Sequence, residues 1–150
     1  MTDYVIRMVK KTDRQQWNNL YQGYADFYHA EQTSAMRDTV WAWLHDERNE
    51  ISGLVAETAD GTLLGLAHFR PFARPLSATI GCFLDDLFVN PDARGRGVAD
   101  ALIQRIEAIA RDKGWSVVRW ITADNNYRGR AVYDRHASKT NWVTYDIRID

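Results

Sequence analysis

The chain has 150 residues, a formal net charge of −1 and one cysteine, so we expect a single domain (residues 1–150) with its own core and no disulfide framework or multi-cysteine zinc site. The near-neutral charge excludes a general attraction to nucleic acid or to an acidic membrane surface. Because there is no signal pattern at the N-terminus and no apolar run of membrane-spanning length, we expect a cytoplasmic protein.

The spacing of apolar residues predicts ten elements. In chain order they are a strand over 4–7, a helix opening at 13, a helix over 35–45, strands over 53–57, 63–69 and 79–89, a helix over 97–113, a strand over 117–121, a helix over 126–138 and a strand over 142–149. Asp60-Gly61 predicts a hairpin turn, and Pro71 to Pro75 predict a loop. The order β-α-α-β-β-β-α-β-α-β combines hairpins with a β-α-β crossover, which predicts an α/β (α+β) fold with a mixed sheet.

A strand that runs into a glycine-rich helix start is the most informative segment. Gly95 and Gly97 precede the helix, beside Arg94 and Arg96. The first amides of a helix lack internal partners and carry the positive end of its dipole, and glycine lets the main chain approach an anion closely. The segment therefore predicts a phosphate-binding loop, although an ordinary helix start would use the same residues. It is neither a Walker loop nor a dinucleotide fingerprint, because the required Lys and third Gly are missing.

The pattern Arg94-x-x-Gly97-x-Ala99 resembles the acetyl-CoA pyrophosphate loop of the GNAT family of N-acetyltransferases, which reads Gln/Arg-x-x-Gly-x-Gly/Ala. The preceding Asp-Leu-Phe-Val-Asn-Pro over 86–91 is similar to the fourth strand of that family. The predicted order of elements also matches the family fold. The resemblance implies a GNAT-type acyl-CoA N-acyltransferase fold and an enzyme that moves acetyl from acetyl-CoA to a primary amine.

Two further features carry the resemblance. Asn126 and Tyr133, with the small Gly129 between them, resemble the Asn-x-x-Ala-x-x-Leu-Tyr segment of the family. The aromatic first helix and the adjacent Asp85 and Asp86 are similar to the branch that holds the yeast acetyltransferases of histones, polyamines and D-amino acids, and to spermidine/spermine acetyltransferases. The usual Leu-Gly-Phe after the tyrosine is absent, which puts the geometry of the last hairpin in doubt.

The resemblance implies how the donor binds. The main chain of the fourth strand pairs with the pantetheine arm, the loop amides hold the pyrophosphate, and Asn126 bonds the pantetheine. Two arginines follow Asn126 closely enough to reach the CoA phosphates. The residues expected to bind acetyl-CoA are Leu87, Phe88, Val89, Arg94, Gly95, Arg96, Gly97, Val98, Ala99, Asn126, Arg128 and Arg130.

Tyr133 and Asp85 are the predicted catalytic residues. The resemblance places Tyr133 at the acetyl sulfur, where a phenol can protonate the leaving thiolate; the alternative is a core tyrosine. Likeness to the polyamine enzymes favours Asp85 as amine ligand or water-mediated base, with a satisfied ion pair as the alternative. Because neighbours on a strand point to opposite faces, Asp85 and Asp86 are not expected to form one carboxylate pair. The residues expected to bind the acceptor are Tyr28, Glu31, Asp85 and Asp86.

The sequence leaves the acceptor and the chemical outcome open. A small amine, either a polyamine or an amino acid, is preferred over an aminoglycoside, a protein lysine or a protein N-terminus. A CoA-binding sensor without catalysis and an enzyme that transfers a longer acyl group are also compatible with these residues.

Other candidate functional groups are given structural roles. Direct attack in a ternary complex needs no covalent intermediate, so Cys82 is expected to be a small buried hydrophobic residue. His68 is expected to be structural unless its strand borders the cleft. No metal site is predicted, and we expect a homodimer because family members often form one.

Overall fold

A computed structural model describes residues 3–150 and shows nine helices and strands among them, together with short 3₁₀ turns. In chain order they are β1 (Tyr4–Met8), α1 (Arg14–Phe27), α2 (Ser34–Leu44), β2 (Ser52–Thr58), β3 (Leu63–Arg74), β4 (Thr79–Val89), α3 (Val98–Lys113), β5 (Val118–Arg119) and α4 (Tyr127–Tyr133). They follow the predicted order, and none of these helices is long and apolar enough to cross a membrane.

The strands form one mixed sheet in the order β1-β2-β3-β4-β5. Strands β1 to β4 pair antiparallel, whereas β5 runs parallel to β4 after the crossover through α3. The predicted mixed α/β class is therefore confirmed. Its mixed character follows from the connections, since short turns join antiparallel neighbours and a helix is needed to bring the chain back parallel.

Helices cover both faces of the sheet and create two cores. On one face α3 buries its apolar stripe, with Leu102 and Ile106 fully enclosed. On the other face the aromatic stripe of α1 meets α2, where the rings of Trp17 and Trp41 lie 4.9 Å apart between centroids. A stripe at helical spacing therefore forms core, as amphipathic periodicity predicts.

A β-bulge in β4 changes the face that its acidic residues occupy. Asp86 pairs with His68, but the next pair in the register is Leu84 with Phe69, so Asp85 is an additional residue. An extra residue interrupts the two-residue alternation and re-aims the side chains beside it. Asp85 and Asp86 therefore line the same cavity, on the α1 side of the sheet. The prediction that they point to opposite faces is wrong, because it assumed unbroken alternation.

The structure differs from the predicted boundaries in the second half of β3 and in α4. Pro71 lies in β3, opposite Cys82, instead of in a loop. The register with β2 ends at Phe69, so this part of β3 has one free edge and tolerates a residue without an amide hydrogen. Helix α4 ends at Tyr133, five residues before its predicted end at Ser138.

The strand expected over 142–149 is not formed. Within the part of the chain that the structure describes, residues 142–150 have no helix, turn or strand ladder. An alternating pattern identifies a segment that is able to pair, but a strand exists only where another strand edge accepts its hydrogen bonds.

Candidate active site

Strands β4 and β5 separate soon after they begin to pair. Their register covers only Cys82 with Val118 and Phe83 with Arg119. The amide of Asn90 donates to the Leu64 carbonyl at 2.8 Å, toward β3. Because main-chain direction alternates along a strand, the amides and carbonyls of Leu87 and Val89 face the opposite side, into the gap. An open edge of this kind can pair with an extended, amide-containing ligand.

A cavity of about 500 Å³ occupies this gap, between the end of β4, the start of α3 and α4. It brings together most of the residues predicted to bind the donor, and it also includes Tyr28 and Tyr133. The predicted donor-binding residues that line it are Leu87, Phe88, Val89, Arg94, Gly95, Gly97, Val98, Ala99, Asn126 and Arg128.

The start of α3 presents main-chain amides without a side-chain cap. Gly95 and Gly97 have φ of +83° and +75°, in the left-handed region that favours glycine. Gly97 is the N-cap of α3, and among residues 3–150 no side chain caps the first turn. A methyl group at Gly95 would meet nothing within 4 Å, so the loop is open on that side. Uncapped amides at the positive end of a helix dipole fit a phosphate group.

Three predicted side chains lie outside the cavities. The guanidinium of Arg96 turns away and pairs with Asp3, while the Arg96 carbonyl accepts a hydrogen bond from the Tyr4 hydroxyl at 3.0 Å. Arg130 donates to the carbonyl of Asp124 at 2.5 Å, at the base of its own helix. Glu31 is exposed in the loop between α1 and α2. Neither the cavity in the gap nor a second cavity beside Asp85 and Asp86 includes these three residues.

Tyr133 lies at the end of α4 and is largely buried against Trp120, with the two rings edge to face and 5.5 Å apart. Burial raises the pKa of Tyr133 to about 12, although an interaction with the Thr122 hydroxyl acts to lower that pKa. A phenol with such a pKa stays protonated at neutral pH. It can therefore act as a proton donor to a group in the cavity.

Asn126 holds the start of α4 and the neighbouring polar groups together. Its Oδ1 accepts from the amide of Gly129 at 3.2 Å, which caps the helix, and its Nδ2 donates to Thr122 Oγ1 at 2.9 Å. A second, longer contact joins Nδ2 to the hydroxyl of Tyr28 at 3.5 Å. The contact with Tyr28 links the end of α1 to the start of α4 beside the first cavity.

Replacing Gly129 by alanine costs about 1 kcal/mol for the lost N-cap but regains up to about 1 kcal/mol of helix propensity, so we expect the free energy of unfolding to stay close to that of the unmodified protein. The new methyl carbon would lie 2.5 Å from Asn126 Nδ2, so the amide side chain must leave its capping position. Denaturant unfolding followed by circular dichroism measures the change. The Asn126→Ala variant has no such gain in helix propensity and should lose about 1 kcal/mol.

A double-mutant cycle supplies the control for this prediction. If both substitutions act through the same cap, the double variant should be more stable than Asn126→Ala alone, because the alanine then only adds helix propensity. A double variant that is no more stable than Asn126→Ala would show that Gly129 matters for a different reason.

A second cavity of about 650 Å³ lies on the α1 side of the sheet and includes both carboxylates of the bulge. Behind them is a buried row of hydrogen bonds. The indole of Trp17 donates to Nε2 of His68 at 3.0 Å. Since the indole is only a donor, the neutral imidazole carries its proton on Nδ1, which donates to Asp86 Oδ2 at 2.8 Å.

The environments of the two carboxylates differ. Burial acts against the ionised form of Asp86, but hydrogen bonds from His68 and Tyr21 hold the pKa of Asp86 below its ordinary value. Burial raises the pKa of Asp85, against the ion pair with Arg70 at 3.0 Å. Asp86 is therefore fixed within the network, whereas Asp85 is held by one flexible, partly exposed partner.

The sequence did not identify Tyr21 or Arg70 as site residues, and it gave His68 a role only if its strand bordered the cleft. All three line the second cavity together with Asp85 and Asp86. Their only sequence signal is indirect: His68 and Arg70 alternate along the strand next to the acidic pair. Which of them meet the carboxylates depends on the register and on the bulge.

Cys82 is fully buried, and burial raises the pKa of its thiol to about 11. It therefore stays protonated and does not reach either cavity. Among residues 3–150, no group of three or more His, Cys, Asp or Glu side chains is placed to hold a metal ion.

Three proteins illustrate what the chain is similar to. The D-amino-acid N-acetyltransferase HPA3 of Saccharomyces cerevisiae is 28% identical over 142 residues, which cover 94% of this chain and 88% of that protein. The thialysine N-epsilon-acetyltransferase of Bos taurus is 35% identical over 51 residues, 34% of this chain and 30% of that protein. The crystal structure of a ribosomal-protein-alanine N-acetyltransferase from Brucella melitensis biovar Abortus 2308 superposes with a TM-score of 0.80 at 25% identity, covering 97% of this chain and 99% of that one.

The family comparison covers most of the fold described above. Residues 17–137 match the Acetyltransferase (GNAT) family, a range that runs from Trp17 in α1 past Tyr133 at the end of α4. Enzymes of this family use acetyl-CoA as the acyl donor. The chain therefore belongs to the GNAT family of N-acetyltransferases.

Proposed function

We propose that this acetyltransferase moves the acetyl group of acetyl-CoA directly to the primary amine of a small cationic acceptor, either a polyamine or an amino acid. The proposal rests on one observation: consecutive residues of β4 line two different cavities. Leu87 and Phe88 line the donor side, and the preceding Asp85 and Asp86 line the acceptor side. Two substrates bound there meet near the bulge, so no covalent enzyme intermediate is needed.

A row of tyrosines on α1 connects the two sides. Tyr21 lines the acceptor cavity and Tyr28 lines the donor cavity. The ring of Tyr24 lies between them, 5.9 Å from Tyr21 and 4.9 Å from Tyr28 between centroids. Packed aromatic rings exclude water, which protects a thioester from hydrolysis while an amine attacks it.

On the donor side, acetyl-CoA supplies the activated thioester. The Arg94 amide donates to the Pro91 carbonyl at 3.3 Å, so the amides from Gly95 to Ala99 would hold the pyrophosphate. The free edge of β4 at Leu87 and Val89 would pair with the pantetheine amides. The Val89 main-chain amide would also polarise the thioester oxygen. Attack by the amine forms the new C–N bond and breaks the C–S bond. Tyr133 supplies a proton to the sulfur that leaves.

On the acceptor side, the two carboxylates favour a cation. Asp85 would bind the amine and, through water, accept the proton that the ammonium must lose before it attacks. Its raised pKa makes it a better base than an ordinary aspartate. Asp86 would add negative charge from its fixed position. The similarity to the D-amino-acid and thialysine enzymes supports a small amine of this kind.

A second candidate acceptor is the terminal amine of a peptide. The similarity to the ribosomal-protein-alanine enzyme favours it, since that structure matches nearly the whole chain at 25% identity. A peptide would have to reach Asp85 past the loops that border the acceptor cavity, whereas a polyamine or a free amino acid would fit inside it.

Release of free CoA thiol, measured with a thiol reagent, tests these two acceptor classes. The purified protein and acetyl-CoA are supplied in turn with spermidine, D-lysine, L-lysine and an alanine-terminated peptide, with an amine-free blank for hydrolysis. Turnover with a polyamine or a lysine supports the proposal, and turnover with the peptide alone supports the second candidate. Binding of acetyl-CoA without turnover on any amine would point to a sensor. Repeating the assay with propionyl-CoA and succinyl-CoA shows whether a longer acyl group is preferred.

A further inference from the structure

A histidine is buried behind the second cavity, and the proposed reaction gives it no chemical step. His68 lies in the middle of β3 and is 1% exposed, yet it forms part of the wall that also includes Asp85 and Asp86. Both ring nitrogens of a buried imidazole need partners, because an unbonded polar atom in a protein core is costly. The chemical nature of those two partners decides whether the ring can carry a charge.

The partner of Nε2 is a group that can only donate. The indole N–H of Trp17, which is as deeply buried as His68, points at this nitrogen from 3.0 Å. A proton on Nε2 would bring two N–H groups face to face in the core, where neither can bond to water. The ring of Tyr21 packs edge to face on the imidazole, 4.7 Å away between centroids, and restricts its rotation. Trp17 therefore holds the imidazole in its neutral form.

The charged groups around the ring would favour its protonated form. Strand β4 brings two carboxylates toward it, and one of them, Asp86, lies 2.8 Å from Nδ1. On α1 the hydroxyls of Tyr21 and Tyr24 stay neutral, because burial and the nearby Asp86 raise the pKa of both phenols. Strand β2 borders the ring at the uncharged Gly53, and Arg70 on β3 is paired with the other carboxylate of β4. Since a negative neighbour stabilises an imidazolium, the indole is the group that opposes it.

The net charge of the second cavity depends on Asp86. The other charged side chains on the cavity wall are Arg48, Glu50, Arg70 and Asp85. Arg70 and Asp85 form an ion pair at 3.0 Å, and Arg48 and Glu50 are also of opposite sign. These four charges cancel at neutral pH, so Asp86 supplies the one negative charge that would attract a cationic acceptor. A proton on the adjoining imidazole would cancel that charge as well.

We propose that Trp17 and His68 are positioning residues that keep this negative charge constant with pH, because the indole holds the imidazole neutral where histidines otherwise titrate. That range is about pH 5 to 8. The inference rests on the proposed function, since the charge matters for an acceptor that binds as a cation. Asp86 then receives its hydrogen bonds from two neutral donors, His68 Nδ1 and the Tyr21 hydroxyl, which stabilise the carboxylate without neutralising it.

NMR spectroscopy of the full-length chain with isotope-labelled histidine measures the protonation of the ring directly. In the unmodified protein His68 is expected to remain the neutral tautomer with its proton on Nδ1 from about pH 5 to 8. Its signals are identified by their loss in the His68→Asn variant. A His68 ring that becomes charged within this range would overturn the proposal. This measurement uses no acceptor, so its outcome does not depend on the proposed function.

The Trp17→Phe variant tests whether the indole is the cause. Water that enters the vacated space can accept a hydrogen bond from Nε2, which the indole cannot do. His68 should then titrate, and kcat/KM for spermidine or D-lysine should fall. Expressed relative to the unmodified protein at the same pH, the fall should be about fivefold between pH 8 and pH 5.5. The ratio removes the titrations that both proteins share, those of Asp85 and of the amine itself.

The matched control is Trp41→Phe, which removes an indole from the same core. Its ring lies 4.9 Å from that of Trp17 between centroids, and the bond between Trp17 and His68 remains. Its activity ratio should not change with pH. The double variant Trp17→Phe/His68→Asn should also give a constant ratio, because an asparagine amide can donate to Asp86 but does not titrate.

The outcomes separate this inference from the proposed function. If the unmodified protein acetylates neither amine, the proposed function fails, and the NMR titration still decides the charge of His68. If it acetylates one of them but the Trp17→Phe ratio is constant and the ring stays neutral, the indole does not control the charge and the inference is wrong. A pH-dependent ratio in either control would also overturn it. Thermal unfolding by circular dichroism verifies that each variant is folded, and the NMR result on the unmodified protein requires no variant to fold except the one used for assignment.

Discussion

Substituting phenylalanine for Tyr133 is expected to lower kcat by about 10²–10⁴-fold, the usual contribution of a positioned proton donor. The ring still packs on Trp120, so the donor cavity keeps its shape and the KM for acetyl-CoA should stay close to that of the unmodified protein. Only the hydroxyl that we propose as the proton donor to the departing sulfur is lost. Steady-state thiol release with a saturating amine measures both constants.

The control is Tyr127→Phe on the same helix. Tyr127 is 74% exposed and lines neither cavity, so its hydroxyl should be dispensable. If Tyr133→Phe keeps kcat within about threefold of the unmodified protein, another group must protonate the sulfur.

The pH dependence of the reaction gives a second, independent check on Tyr133. Because burial raises the pKa of Tyr133 to about 12, the phenol remains a proton donor throughout the neutral and mildly alkaline range. Activity should therefore show no loss from titration of this residue as the pH rises from neutrality toward that value. An early alkaline loss that disappears in Tyr133→Phe would contradict the assignment.

The donor side of the site could be predicted from sequence because its determinants are local. Gly95, Gly97 and the helix that follows are consecutive, and their conformation depends mainly on the residues themselves. Asn126 and Tyr133 belong to one short helix, so their spacing alone brings them to one region. The structure places all four on the same cavity.

The acceptor side could not be predicted in the same way because its geometry depends on strand register. Asp85 and Asp86 share a cavity only because a bulge interrupts β4, and the position of a bulge is set by how two distant segments pair. His68 and Tyr21 reach Asp86 from another strand and from α1. No spacing along the chain encodes those contacts. The strand predicted over 142–149 failed for the same reason, because an alternating pattern does not specify which strand edge the segment would pair with.

Separate substitutions of Asp86 and Asp85 by alanine are expected to affect different properties. Asp86→Ala should destabilise the fold by about 3 kcal/mol, because the buried Nδ1 of His68 and the partly buried hydroxyl of Tyr21 lose their shared acceptor. Asp85→Ala should cost less than about 1 kcal/mol, since its partner Arg70 is partly exposed and can turn to water. Denaturant unfolding at neutral pH measures both free energies.

Among the molecules that remain folded, Asp85→Ala should reduce activity more than Asp86→Ala does. If Asp85 binds the acceptor amine, its removal should lower kcat/KM for that amine by about 10–100-fold, the value of a hydrogen bond between charged groups. The KM for acetyl-CoA should be unchanged, because Asp85 is outside the donor cavity. An unaltered kcat/KM for the amine in Asp85→Ala would remove this residue from the acceptor site.

Lowering the pH should reduce the difference in the free energy of unfolding between the unmodified protein and the Asp86→Ala variant. Hydrogen bonds from His68 and Tyr21 hold the pKa of Asp86 below its ordinary value in the folded state. The carboxylate therefore contributes its full stabilisation above the ordinary aspartate range and loses it as the pH falls through the lower, folded-state pKa. Unfolding midpoints measured at neutral and at acidic pH for the two proteins should converge. A gap that is constant with pH would mean that the loss in Asp86→Ala comes from the cavity left behind and not from the charge.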